Sequence, residues 1–377
     1  MLSRPLADLS EEDFASLVAN SVSERRDLEF KRDLPGGTDD AKKEFLADVT
    51  SLANAQGGDL IYGVEDRGGV ASGVPGIELT DADATQLRLE NIVRDGAEPR
   101  LVVRMRAVPL ANGRSGLVLR VPASLVAPHR VRFGKSGKFY TRNSKGKYEM
   151  DVQELRQAFT ESEALPLRLR QFHEEAVASA NGGDLPFVME RFPTAVLSIM
   201  PLTLLRERRA LSLARENTIL PVRVTAGFFG FPTLEGFLFH TSMNEQSMVS
   251  SYTLTHRTGR IDAVWTIGGV MNVQGNDRLV VWSGEFEDGV GEMGVNGMTR
   301  LKEYGLEEPW VVFVTLLRMK GAFVPSEYGT ATRPAWRDRA RLPELVLEHV
   351  SKETLKPLYE AFWLMFGTTR PVKRRGI

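Results

Sequence analysis

The chain has 377 residues, 42% hydrophobic and 26% charged, with a formal net charge of −1. Single hydrophobic cores stop growing near about 250–300 residues, so this length predicts two domains. The balanced charge excludes a globally basic protein and leaves only a local patch for nucleic acid; the absence of cysteine excludes disulfides, thiol nucleophiles and Cys-ligated metal sites and points to a reducing compartment.

The histidines (His129, His173, His240, His256, His349) are scattered, without the pairing of a zinc helix motif. The opening stretch MLSRPLADLSEEDF lacks the apolar core of a signal peptide, and no run of about 18 apolar residues occurs. A soluble, cytoplasmic protein is the expectation.

Ser10 and Asp13 read as a capping box opening a helix over 11–20. The period then changes: Leu28 and Phe30 alternate with Asp27, Glu29 and Lys31, which predicts a strand with one buried face and places Glu29 and Lys31 on the same side. Thr38 or Asp39 caps a helix whose apolar face is Phe45, Leu46, Val49, Leu52 and Ala53, ended by the glycines of NAQGG. DLIYGV reads as a buried strand and EDRGG as the turn at its exit. Residues 83–96 read as a helix, RLVVRMRAV and SGLVLRV as strands, and 129–148 as a glycine-punctuated hairpin. A helix over 151–162 closes the first unit, and a helical connector leads to a loop near 181–186. All five tryptophans lie beyond it, and this second half predicts an α+β domain ending in an amphipathic helix near 343–366. Its tryptophans are expected mainly in the core. Its basic run Arg333, Arg337, Arg339 and Arg341, with Lys373, Arg374 and Arg375 at the end, reads equally as a nucleic-acid surface or as solvated charge.

Glu24 and Glu29 lie five residues apart and share no face of a helix or a strand, since five residues turn about 140° on the one and half a turn on the other. They converge only where the backbone changes direction, as at the junction before the first strand. Asp66 follows DLIYGV at a strand tip. Three carboxylates meeting there would form a hard-oxygen cage for Mg²⁺ or Mn²⁺, with Lys31 beside Glu29 to neutralise charge on a scissile phosphate. The alternative is a solvated strand face. Between His129 and Tyr148 stand Arg130, Arg132, Lys135, Lys138, Arg142, Lys145 and Lys147 with no acidic residue, interleaved with Phe133, Phe139 and Tyr140. Seven like charges without counter-ions repel unless a polyanion is present, so this stretch is the expected nucleic-acid contact, with the Phe residues assigned to the core. GKS at 134–136 does not make a P-loop, because the required earlier glycine is His129.

Together, ERRDLEFK, the helix running into SLANAQGGDLIYGVEDRGG, PHRV and FYTRNSKGKYEM resemble the Schlafen core, or AlbA_2, domain over about residues 20–160. The resemblance implies an α/β (α+β) N-terminal lobe with a mixed sheet and flanking helices over 1–162, a connector over 163–186 and a second α+β domain over 187–377. Nuclease members use a Glu-x4-Glu pair and a later Asp with a divalent metal; carried over, these are Glu24, Glu29 and Asp66, with Glu65 the alternative third carboxylate. The implied function is a metal-dependent endoribonuclease on structured RNA such as tRNA, in phage defence or stress response. Mammalian members pair two lobes around a basic groove, which in this single-lobed chain implies a homodimer. Two alternatives stand beside it: a non-catalytic DNA- or RNA-binding regulator, and a nucleotide-binding AlbA_2 protein.

Overall fold

The computed structural model describes residues 2, 4, 6–134, 137–143, 145–182, 185–207, 210–222, 227–325 and 332–371, with backbone only at 206 and 207. Lys135 and the terminal Lys373, Arg374 and Arg375 lie outside the described residues. The chain divides into two compact units, Met1–Pro166 with Leu205–Arg208, and Leu167–Leu204 with Arg209–Ile377.

The first unit begins with α1 (Glu11–Ala19), where Asp13 accepts from the Ser10 N–H at 2.8 Å as a capping box requires. Strand β1 (Leu28–Lys31) buries Leu28 and Phe30 and leaves Glu29 and Lys31 half-covered, the alternation read from the sequence. Thr38 caps α2 (Asp39–Asn54), which leads into the fully buried β2 (Gly58–Tyr62) lying parallel to β1. EDRGG is more than a turn. It forms β3 (Glu65–Arg67) and, through Gly68 and Gly69, pairs with β4 (Val70–Gly73). A two-residue hairpin turn of this kind needs positive φ at both centres, and these glycines take +63° and +80°.

α3 (Ala82–Gly96) follows, then β5 (Ala97–Glu98), β6 (Arg104–Pro109) and β7 (Ser115–Val121). The sheet order is β1-β2-β7-β6, with one parallel and two antiparallel pairings, hence a mixed sheet. Residue alternation divides its two faces. Leu60, Tyr62, Leu117 and Leu119 pack on Phe45, Val49 and Leu52 of α2 and Leu89 and Val93 of α3. Leu28, Phe30, Ile61 and Val118 pack on Phe14 and Leu17 of α1. Glu29 and Lys31, pointing opposite to Leu28 and Phe30, therefore face α2.

The expected 129–148 hairpin is divided. β8 (Arg130–Val131) pairs with β5, while the hairpin itself is β9 (Tyr140–Asn143) with β10 (Gly146–Glu149). The two helices expected near 151–180 are one, α4 (Val152–Ala180), which carries the chain from the first unit into the second.

The second unit is α+β. Its antiparallel sheet runs in the order Phe228–Pro232, Gly236–Thr241, Ser251–His256, Ile261–Thr266, Thr194–Pro201 and Trp310–Leu317, with Ala340–Arg341 and Leu345–Leu347 both pairing with the last. Helix Ser283–Glu303 covers one face, with Phe286 stacked on Phe362 at 4.3 Å. The helix expected over 343–366 is only Lys356–Leu364, because Pro357 lacks the N–H a helix interior needs and instead opens the helix; Leu345–Leu347 is a strand. Trp265, Trp310 and Trp363 are core residues as expected, whereas Trp282 and Trp336 are exposed. No helix among the described residues is long and apolar enough to cross a membrane.

A candidate anion-binding cleft

Glu24, Glu29, Arg142, Lys145 and Lys147 line one cleft of about 470 Å³ in the first unit, completed by Ser23, Arg25, Gly68, Gly69 and Gly146. Three pieces of chain bring them together: the β1 entry, the β3–β4 turn and the β9–β10 hairpin. Backbone bonds hold the first two, since the Glu24 N–H donates to the Gly69 carbonyl at 2.6 Å and the Ala71 N–H to Val22 at 2.9 Å. Asn54, near the end of α2, holds the third. Its amide donates to the His129 and Tyr140 carbonyls, both at 2.8 Å, and its oxygen accepts from the His129 N–H at 2.6 Å. A larger hollow of about 700 Å³ in the second unit, between Phe228, Phe239 and the helix carrying Glu292 and Arg300, holds none of these residues.

The carboxylates behave differently. Glu29 is flanked by two cations, Lys31 Nζ at 2.5 Å from Oε1 and Arg142 Nη2 at 2.8 Å from Oε2. Burial alone would push it up, but Lys31, then Arg142 and Lys147, outweigh that and hold it below the usual glutamate range. Glu24 is pushed up, first by burial and then by the negative charges of Glu29 and Asp66, against the Phe30 N–H that donates to its Oε1 at 2.8 Å. Asp66 is exposed on β3, where its Oδ2 accepts from the Gly69 N–H at 2.9 Å and so pins the turn.

The three carboxylates are thus electrical neighbours, but they do not close into a cage. Among the described residues no group of three or more His, Asp or Glu side chains is gathered so as to hold a metal ion. The donor set gives the reason: both oxygens of Glu29 face cations of the chain itself, and Asp66 is turned to its own backbone turn. The expected three-carboxylate Mg²⁺ or Mn²⁺ site is therefore not formed by these side chains as they stand. Glu65, the alternative third ligand, pairs with Arg32 at 3.2 Å.

Sequence reasoning missed Asp48. Side-chain exposure of 3% leaves it nearly sealed, with Lys31 at 3.3 Å and Lys147 at 2.5 Å, and Lys147 also reaches Glu44 at 2.5 Å. Asp48 is pushed up, by burial first and by Glu29 next, while both lysines, which burial alone would push down, are raised by the acids around them. A signal was present: Asp48 lies three residues after Phe45 and four before Leu52, on the core face of an otherwise apolar helix stripe.

The basic stretch needs a correction. Most of its described charges have counter-ions, supplied by acids outside the stretch: Arg130 pairs with Glu98 at 2.6 Å, Lys138 with Glu149 at 2.6 Å, and Arg142 and Lys147 as above. Arg132 stands 3.8 Å from Glu98. Lys145 is exposed at the cleft and makes no ion pair among the described residues. Phe139 makes an edge contact with Phe159 and Phe133 lies under Lys42, and both are half-buried rather than in the expected core positions. Arg339 and Arg341 both pair with Glu174.

A β1–α2–β2 unit, a Gly-Gly hairpin after β2 and a basic hairpin docked on α2 define an α/β lobe with a charged cleft where the β1 entry meets the two hairpins. Residues 24–151 match the family model described as Schlafen, AlbA_2, and the first unit is a domain of that family. No curated protein matches the chain. Among solved structures it is similar to the DIP2311 protein from Corynebacterium diphtheriae, at 19% identity over 39% of this chain and 27% of that one, with a TM-score of 0.27. It is also similar to the N-terminal domain of a putative ATP-dependent DNA helicase RecG-related protein from Nitrosomonas europaea, at 21% identity over 36% of this chain and 90% of that one, with a TM-score of 0.27. The chain spans about a quarter of the length of the first of these.

Proposed function

We propose that the cleft binds the phosphate backbone of a nucleic acid. The observation that carries this reading is the meeting of Arg142, Lys145 and Lys147 at one opening of about 470 Å³. Lys145 has no acidic partner among the described residues, and a phosphate backbone is the polyanion that rewards such a group. RNA is the preferred substrate class, and structured RNA such as tRNA the first to test.

A second reading, strand cleavage with Mg²⁺ or Mn²⁺, is favoured by one observation: Glu24 is crowded by Glu29 and Asp66 and pushed up, and a bound cation would relieve that crowding. The side chains as they stand do not form the site, so cleavage would require them to rearrange. Purified protein is incubated with tRNA and either cation, with and without EDTA. Fragments that EDTA abolishes support the endoribonuclease; binding that survives EDTA with no fragments supports a regulator. Tight ATP binding with no response to RNA would overturn both. Pairing of two copies around one groove belongs to the same proposal, and a monomer in light scattering with and without RNA would remove it.

A further inference from the structure

Arg142 differs from the other described cations of the basic stretch. Its side chain is only 3% exposed, and among the described residues it meets a single acid, Glu29, through Nη2. Its Nε and Nη1 are buried and have no hydrogen-bond partner among the described residues. A guanidinium carries five N–H donors, and a buried donor left unmade costs about 1–3 kcal/mol, so a sealed arginine short of acceptors is an unstable arrangement unless something else supplies them. Arg142 also lines the cleft, between Glu29 and the Lys145–Lys147 tip.

We propose that Arg142 is the phosphate-gripping residue of this cleft, and that a phosphodiester oxygen competes with the Glu29 carboxylate for its guanidinium. Two chemical facts support the exchange. Carboxylate and phosphate are alternative partners of the same planar fork, and phosphate offers more acceptor oxygens for the nitrogens that Glu29 leaves bare. Glu29 also stays neutralised after the exchange, because Lys31 remains at 2.5 Å from its other oxygen. Lys145 and Lys147, at the same opening, add charge without a fork. The proposal rests on the nucleic-acid reading only for the source of the phosphate; the anion site stands on Arg142 itself.

The test uses the full chain and three variants, Arg142→Gln, Arg142→Lys and Glu29→Gln. Thermal midpoints are measured with inorganic phosphate and with chloride at matched ionic strength, and affinity is measured by anisotropy on a short 2′-O-methyl RNA. Phosphate is expected to raise the midpoint of the parent protein, and Arg142→Gln to abolish that rise and weaken RNA binding roughly tenfold or more, as for loss of a hydrogen bond to a charged group. Arg142→Lys keeps the charge and loses the fork, so it should fall between them. Glu29→Gln removes the competitor and should tighten both ligands. Arg142→Gln that keeps the phosphate rise and the RNA affinity overturns the proposal. If Arg142→Gln fails to fold, Glu29→Gln decides: no tightening overturns it. A parent protein that ignores RNA yet shows an Arg142-dependent phosphate rise sinks the nucleic-acid reading and leaves the anion site; one that responds to neither sinks both.

Discussion

Lys147 of the hairpin reaches Asp48 of α2, Nζ to Oδ1 at 2.5 Å, across 99 residues of sequence. Asp48 is nearly sealed from solvent and also meets Lys31 at 3.3 Å, so one carboxylate ties β1, α2 and the β9–β10 hairpin into the wall of the cleft. The arrangement is a chain of alternating charge: Arg142, Glu29, Lys31, Asp48, Lys147 and Glu44.

Removing the central acid should therefore be costly. Asp48→Asn leaves two half-buried lysines short of a partner, and breaking a buried pair from one side costs about 3–5 kcal/mol. Lys31 keeps Glu29, Lys147 keeps Glu44, and the amide relieves a charge that burial and Glu29 push up, which places the loss below that range, at about 1–2 kcal/mol. The check is a urea midpoint that falls while the slope is unchanged. A loss below about 0.5 kcal/mol, the level of a plain surface change, would mean that Asn54 and the Arg142–Glu29 and Lys147–Glu44 pairs hold the hairpin without Asp48.

The second unit has a separate pH signature. Ser198 gives its proton to Asp262 at 2.6 Å, so it accepts from His173 Nδ1–H at 2.9 Å, and His173 Nε2 accepts from Thr315 at 2.8 Å. Burial pushes His173 down from 6.5 to about 4. The unfolded chain then binds this proton more readily than the folded one between those values. Stability is whole above pH 6.5 and falls by about 3 kcal/mol as pH drops to about 4. Asp262, held down at about 2 chiefly by Arg260 and His256 against the opposing effect of burial, loses its contribution only at lower pH. His173→Gln keeps a donor and an acceptor but not the proton, so its unfolding free energy should be flatter between pH 7 and pH 4.5. Equal pH dependence in both proteins would assign the acid sensitivity elsewhere.

What the sequence made legible was local. Leu28 to Lys31 announced a half-buried strand through strict alternation, and the structure repeats it. Thr38 announced the start of α2 through its side-chain oxygen. The ionic pairings were illegible because they are tertiary: Glu44 lies 103 residues from Lys147 and Glu98 lies 32 from Arg130, so a window over 129–148 sees cations alone. The carboxylates were half legible. Their shared neighbourhood followed from the strand junction and the strand tip, but the orientation of Glu29 depends on Arg142, which no local rule places. The C-terminal helix was overread because its apolar spacing outweighed Pro357.

The ion pairs also rank the basic residues. A phosphate reaching Arg130 or Lys138 must displace Glu98 or Glu149, whereas one reaching Lys145 displaces no acid among the described residues. Lys145→Gln should therefore lower the slope of log affinity against log salt by about 0.7–0.9, the value of one phosphate contact. Arg130→Gln with Lys138→Gln should change it by less than Lys145→Gln alone. Anisotropy titrations of one RNA across a salt series measure this, and the reverse ranking would place the contact on the outer face of the stretch.

Glu24 separates a functional carboxylate from a structural one. Its amide variant keeps an oxygen to accept the Phe30 N–H, and it removes a charge that burial, Glu29 and Asp66 all disfavour. Glu24→Gln should therefore match or exceed the parent protein in thermal midpoint at pH 7. A group pushed up from 4.5 costs the folded state most above its raised value and nothing well below 4.5, so any gain should shrink as the pH falls through that window. RNA affinity should hold or rise, since a negative charge leaves the cleft. If the parent protein cleaves RNA, cleavage by the variant should drop by orders of magnitude while binding persists. A variant that instead loses more than about 1 kcal/mol at pH 7, the worth of a hydrogen bond, would show that Glu24 is there to hold the β1 entry in place.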